Sequence, residues 1–244
     1  SITYKQQVST VILERFKYSI VLMLVAWCFS GIVGFLIGVL AGIYKGSLFD
    51  KIVKIFCLAL QSAPTFWIGL LILSLFSVYL GWFPIGFAVP MGKLSLEITI
   101  WDRIYHLILP ALTLSILGIS RVTLFTRQKL IEILNSDFIL FAKARGENTR
   151  QLVIRHGLRN IALPAITEQF ASFSELFGGI ALAETVFSYP GLGTATTAAG
   201  LNGDVPLLLG IAIFSAIFVF VGNFIANILY GVLDPRLKEG KYNG

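Results

Sequence analysis

DFILFAKARGENTRQLVIRHGLRNIALP, residues 137–164, is polar and basic in a chain of 244 residues that is 56% hydrophobic and only 13% charged. A soluble domain carries about a quarter charged residues, so the chain around this stretch does not read as one. Mean hydropathy is +0.83, and the apolar residues gather in runs near 18–44, 55–81, 106–126, 165–187 and 206–232. Each run has the roughly 20 residues that cross about 30 Å of hydrocarbon. The apolar/polar alternation that marks a barrel strand is absent from them. The expected fold is therefore all-α, a polytopic transmembrane helical bundle with five spans, and the quoted stretch joins the third to the fourth.

Inside that stretch the residues spell two helices. Asp137 suits the N-cap of FILFAKAR, with Phe138, Phe141 and Ala142 on one face. Gly146 ends the helix as the residue just past the cap. Asn148 with Gln151 three positions later reads as a capping box that opens a second helix. There Arg155 and Arg159 stack at i, i+4, and Pro164 starts the next span, where its missing N–H costs nothing. The product is a helix–glycine–helix elbow that displays apolar and basic groups together, the makeup of a docking surface. The same residues also fit contact with anionic lipid, or a plain basic loop.

Orientation follows from where Lys and Arg fall. Segments 45–54, 127–164 and the tail from 233 hold 13 of them, including Lys45, Lys51, Arg127, Arg155, Arg236 and Lys241. Segments 1–17, 82–105 and 188–205 hold only 5, and Arg121 lies near the end of the third run, on the basic side. The first group is expected in the cytoplasm and the segment 1–17 outside. The transmembrane domain then covers 18–232, with 127–164 as its cytoplasmic loop and 233–244 as a cytoplasmic tail.

Seven pieces in order carry a resemblance: GSLFDK (46–51), SAPTFWIG (62–69), HLILPAL (106–112), DFILFAKARG (137–146), HGLRNIALP (156–164), ETVFSYPGLG (184–193) and LYGVLDPRL (229–237). Over nearly its whole length the chain resembles the permeases of ABC-type importers, in the dipeptide/oligopeptide/nickel branch. Their cytoplasmic "EAA" loop has the frame E-A-A-x-x-x-G followed later by L-P. Ala142, Gly146, Leu163 and Pro164 fall on that frame, while Leu140 and Phe141 replace the Glu and the first Ala. The resemblance implies that the elbow is a coupling helix seated in a cleft of an ATP-hydrolysing subunit. Asp137, Ala142, Ala144, Arg145, Gly146, Arg155, Arg159 and Pro164 are its expected coupling residues. It further implies a second, similar permease, two ATP-binding subunits using ATP and Mg, and an extracytoplasmic solute-binding protein, in the cell membrane of a prokaryote. Such permeases usually have six spans, and an outside N-terminal segment fits loss of the first. Substrates of the branch are nickel, metal chelates or small peptides.

Three carboxylates mark the fourth run. Glu168 and Glu175 are seven residues apart, expected on one face, and Glu168 lies beside the basic elbow, where a salt bridge suits it. Glu175 falls mid-run beside Ser172, Ser174, Gly178 and Gly179. It reads as a pathway group or an internally hydrogen-bonded one. Its Glu followed by Gly-Gly resembles nickel-type members, and with the short outer loop at 82–105 it tilts the substrate expectation towards metal, with peptide as the alternative. Glu184 precedes Pro190-Gly191, a pair suited to a tight turn; a gate or a carboxylate holding a loop are both open. Gly34, Gly38 and Gly42 form overlapping small-xxx-small repeats for close helix packing. Pro64 and Pro110 should kink or start their helices.

Cys28 and Cys57 make no metal-ligand spacing, and neither His106 nor His156 joins a ligand cluster. No G-x-x-x-x-G-K-[ST], HExxH, GxSxG or CxxC occurs. An enzyme of its own, or nucleic-acid binding, is therefore not expected, and energy would come from a partner chain. An ATP-independent secondary transporter or channel is the reading from another class, and it would favour inverted repeats, which the sequence does not display.

Overall fold

In the computed structural model, residues 1–92 and 97–233 are described, and they form helices without a strand. Lys93 and the tail basic residues Arg236, Lys238 and Lys241 lie outside the described residues, as does the end of the LYGVLDPRL piece. In chain order the helices are α1 (Val8–Ile43), α2 (Leu48–Ser62), α3 (Thr65–Ile72), α4 (Ile100–Leu134), α5 (Asp137–Ala144), α6 (Thr149–Gln151), α7 (Leu158–Ala171), α8 (Phe173–Val186), α9 (Leu192–Leu201) and α10 (Val205–Leu233). Wider π turns, Leu73–Tyr79 and Leu152–Gly157, continue α3 and join α6 to α7.

Among the described residues, α1, α4 and residues Val205–Ile228 of α10 are long and apolar enough to cross a membrane. Leu48–Ser62 with Thr65–Tyr79 makes a fourth candidate if that broken pair is one span. The five-span expectation differs from this at its fourth run. There the helix stops at Ala171, turns at Ser172 and restarts at Phe173, with the Ser172 hydroxyl bonding back to the Gln169 carbonyl at 2.8 Å. Glu168 and Glu175 accordingly sit on two helices, and the shared-face argument for them fails.

The chain divides into two compact units. The first comprises 1–28, 63–116 and 174–221. Its core packs Val11 and Ile12 of α1 with Leu192, Ala195 and Ala199 of α9 and with Leu207 and Ile211 of α10. This burial explains why α1 starts at Val8, ten residues before its apolar run: Glu14, Arg15 and Lys17 lower the local hydropathy without interrupting the buried face. Phe16 stacks edge-on against Phe214, their centroids 4.9 Å apart, and Phe177 lies 4.8 Å from Phe218. Pro64 stands at the N-cap of α3, where it interrupts the chain, whereas Pro110 is carried inside α4.

The second unit comprises 29–62, 117–173 and 222–244, of which residues to 233 are described. Gly34, Gly38 and Gly42 of α1 lie in it. A Cβ on Gly34 would lie 2.8 Å from Val122 Cβ, one on Gly38 2.7 Å from the Thr123 carbonyl oxygen, and one on Gly42 2.9 Å from Leu130 Cδ2. The three glycines let the backbones of α1 and α4 approach to contact, and Thr123 Oγ1 donates to the Gly34 carbonyl at 3.2 Å. Arg127, also on α4, forms a bidentate ion pair with Asp50 at the start of α2.

Candidate functional site

The elbow lies within the second unit. Ser136, not Asp137, occupies the cap position of α5; Asp137 is the first helical residue, where its charge complements the exposed N–H groups. The far end of α5 is a Schellman motif. Gly146 N–H donates to the Lys143 carbonyl at 2.9 Å, and Glu147 N–H donates to the Ala142 carbonyl at 3.3 Å. Gly146 has φ +89°, and a Cβ there would meet nothing within 4 Å. The glycine is therefore required by backbone conformation and not by space.

The second arm begins with the expected capping box. Asn148 Oδ1 accepts the Gln151 N–H and Gln151 Oε1 accepts the Asn148 N–H, both at 2.9 Å. His156 Nε2 lies 3.1 Å from Glu147 Oε2, tying this arm back to the bend. Arg155 and Arg159 are both exposed, but Arg155 stands in a π turn and Arg159 in the following α-helix, so simple i, i+4 stacking does not describe them. Pro164 does not open a helix: it is six residues inside α7, which begins from the π turn at Leu158. Its missing N–H leaves one carbonyl of the preceding turn without its usual helical donor.

Packing sorts the apolar residues of the elbow into two sets. Ile139, Ala142 and Leu152 are buried together, with Ile133 and Leu134 against them, and they hold the arms at a set angle. Phe138, Leu140, Phe141 and Ile154 are exposed, Phe141 at 74%. Lys143, Ala144, Arg145 and Arg150 are exposed beside them. The expected face of Phe138, Phe141 and Ala142 is thus divided, Ala142 turning inward and both phenylalanines outward. This geometry presents an apolar patch with a basic rim on a short, doubly capped bracket.

The other candidate residues lie elsewhere. Glu168 Oε1 is 3.7 Å from Arg121 Nε, so its cation comes from α4. Glu175 is exposed in the first turn of α8. Among the described residues no three His, Cys, Asp or Glu side chains gather as metal ligands. Glu184, in the first unit, is fully buried: Oε1 accepts from Ser19 Oγ at 2.5 Å and Oε2 from Gly193 N–H at 2.6 Å. Pro190 sits at the centre of a three-residue turn in which Gly191 N–H donates to the Tyr189 carbonyl at 2.7 Å, and Gly191 is the N-cap of α9. The left-handed residue is Ser188, with φ +48°. Sequence reasoning missed Ser19 and the Asp50–Arg127 pair, because each joins residues far apart in the chain; the Asp in GSLFDK was the one available signal.

Comparisons with known proteins agree with one another. Residues 34–239 match the family described as "Binding-protein-dependent transport system inner membrane component". The chain is 36% identical over 231 residues to the oligopeptide transport system permease protein AppB of Bacillus subtilis, covering 95% of this chain and 72% of that one. It is 35% identical to the di/tripeptide transport system permease protein DppB of Pseudomonas aeruginosa, covering 98% and 76%. To the dipeptide transport system permease protein DppB of Escherichia coli it is 32% identical, covering 93% and 72%. In fold it is similar to a chain of the inward-facing MetNI methionine ABC transporter, with TM-score 0.69 over 93% of this chain and 97% of that chain, at 17% identity.

Proposed function

The chain belongs to the binding-protein-dependent inner membrane components of ABC importers, and from that premise we propose that it forms half of a pathway for small peptides. Its multi-pass apolar helices agree with a membrane subunit. The peptide reading rests on relatives at 32–36% identity whose names specify oligopeptide, di/tripeptide or dipeptide transport. The short outer loop at 82–105 and Glu175 with Gly178-Gly179 tilt the sequence reading towards nickel, and the names of these relatives outweigh that tilt. Peptide is accordingly the preferred solute.

In this reading the elbow docks on a partner that hydrolyses ATP, on the cytoplasmic side. The observation that carries it is the split of the elbow's apolar residues. Ile139, Ala142 and Leu152 are consumed in holding the bracket, and Phe138, Leu140 and Phe141 are left outside in a stretch too polar to span. A basic rim on such a patch suits an acidic-edged cleft of another protein. A second permease and an extracytoplasmic binding protein complete the proposed assembly, two ATP-binding subunits supplying the work.

The test is co-purification of the full complex carrying Phe141→Glu. The expected result is loss of the ATP-binding subunit with unchanged melting of the remaining membrane chain, because Phe141 is not part of the elbow's buried set. Retention of that subunit together with wild-type uptake would remove the docking role. Uptake of labelled dipeptide against labelled nickel by the intact complex decides the solute, with dipeptide expected to accumulate and nickel not.

A further inference from the structure

The N-terminus of α9 is capped from outside its own segment. The first amides of a helix lack internal acceptors, and the residue at the N-cap usually supplies one from its side chain. Here the N-cap is Gly191, which has no side chain to offer. Leu192 N–H instead donates to Ser19 Oγ on α1 at 2.8 Å, and Gly193 N–H donates to Glu184 Oε2 on α8 at 2.6 Å. Ser19 Oγ in turn donates to Glu184 Oε1 at 2.5 Å. The backbone of Glu184 takes part as well, its carbonyl accepting the Tyr189 N–H at 2.8 Å.

The glycines follow from this arrangement. A Cβ on Gly191 would overlap the Glu184 carboxyl group, and one on Gly193 would overlap Ala181 of α8. The carboxyl group thus fills the space where an ordinary capping residue would begin its own side chain. Ser19 and Glu184 are 1% and 0% exposed, so no water competes for these bonds. The connection from 187 to 191 is also stitched internally, since Thr194 Oγ1 donates to the Tyr189 and Gly191 carbonyls at 3.0 and 2.9 Å.

We propose that Glu184 is a positioning residue that, with Ser19, clamps residues 8–28 of α1, the end of α8 and the start of α9 into one body that moves without internal hinging during transport. Pro190-Gly191 is then a rigid corner and not a gate hinge. A hinge there would have to leave two buried amides and a buried carboxyl group without partners, each of which is costly. The inference rests on the importer reading only for its transport readout.

Spin labels at Leu13 of α1 and Leu201 of α9, both exposed, in the full complex with Cys28 and Cys57 replaced by alanine, measure the clamp directly. One narrow distance distribution is expected, the same without nucleotide and with a non-hydrolysable ATP analogue. Glu184→Ala should broaden it, and peptide moved per ATP hydrolysed should fall at least about tenfold, since the Ser19 hydroxyl and the Gly193 N–H both lose their acceptor. Glu184→Gln should restore both, because its amide oxygen accepts from Gly193 and its NH₂ can donate to Ser19. If Glu184→Ala does not assemble, Ser19→Ala carries the test, with the same broadening expected. A wild-type distance that shifts with nucleotide, or an alanine variant as narrow as wild type, overturns the clamp. Narrow distances in wild type without peptide uptake would instead count against the importer reading.

Discussion

Asp50 and Arg127 meet as a part-buried bidentate pair: Nη2 lies 2.8 Å from Oδ2, Nε contacts Oδ1, and Gly46 N–H donates to Oδ2 at 2.9 Å. Their side chains are only 4% and 15% exposed. The pair ties the turn after α1, where Gly46 has φ +81°, to α4. Removing one partner leaves an uncompensated charge in a partly desolvated place, which costs about 1–3 kcal/mol. Asp50→Ala and Arg127→Ala should each lower the melting temperature of the purified complex sharply. The double replacement Asp50→Leu/Arg127→Met should be markedly less harmful than the two single losses added together. Additive losses would show that the two groups do not act as a pair.

Gly146 yields a prediction about conformation. Its φ of +89° disfavours any side chain although space is open around it. Gly146→Ala should cost about 1–2 kcal/mol, and Gly146→Asn less, since Asn enters the left-handed region more readily. Gly146→Pro should be the most damaging: it cannot adopt a positive φ, and it removes the donor to the Lys143 carbonyl. The expected phenotype is membrane insertion with ATP hydrolysis no longer linked to uptake. Uptake at the wild-type rate by the proline variant would contradict a coupling role for the bend.

Gly38 and Gly178 should differ in what they tolerate. Gly38→Ala brings a methyl group within 2.7 Å of the Thr123 carbonyl oxygen, which is backbone and cannot swing aside. It should destabilise the packing of α1 on α4 by about 1–3 kcal/mol. Gly178→Ala, where nothing lies within 4 Å, should be neutral or slightly stabilising through helix propensity. Melting curves of the two variants in the same detergent compare them.

Asp204 sets a pH expectation. Burial pushes its carboxyl up, but hydrogen bonds from Ser1 Oγ, Thr3 N–H and Leu207 N–H outweigh this and hold it well below the usual carboxylate range. A depressed folded-state value stabilises above the unfolded value, near 4, and that contribution is lost as pH falls towards the folded one. The melting difference between wild type and Asp204→Asn should therefore be constant from about pH 6 to 8 and shrink below about pH 4. A difference that grew on acidification would reverse the sign.

How far the residues alone carry depends on whether a feature is local. Gly146 past the end of a helix and the Asn148–Gln151 box are spelled within four or five positions, and both stand in the structure as read. Ser136 takes the cap that the local pattern gives to Asp137, because both are good helix starters and the cap position is set by the turn that ends α4. The break at Ser172 was invisible to hydropathy, since an apolar run has the same average whether its helix is whole or interrupted.

Composition, run length and short-range capping determined that this chain is helical, membrane-embedded and bent at Gly146, because each depends on neighbours within a turn or on totals over about 20 residues. Only the tertiary structure decided which carboxylates are paired and with what. Asp50 finds Arg127 across 77 positions, and Glu184 finds Ser19 across 165. The reason is physical: a buried carboxylate requires partners, and those partners are supplied by whichever helices pack beside it, which no local pattern records.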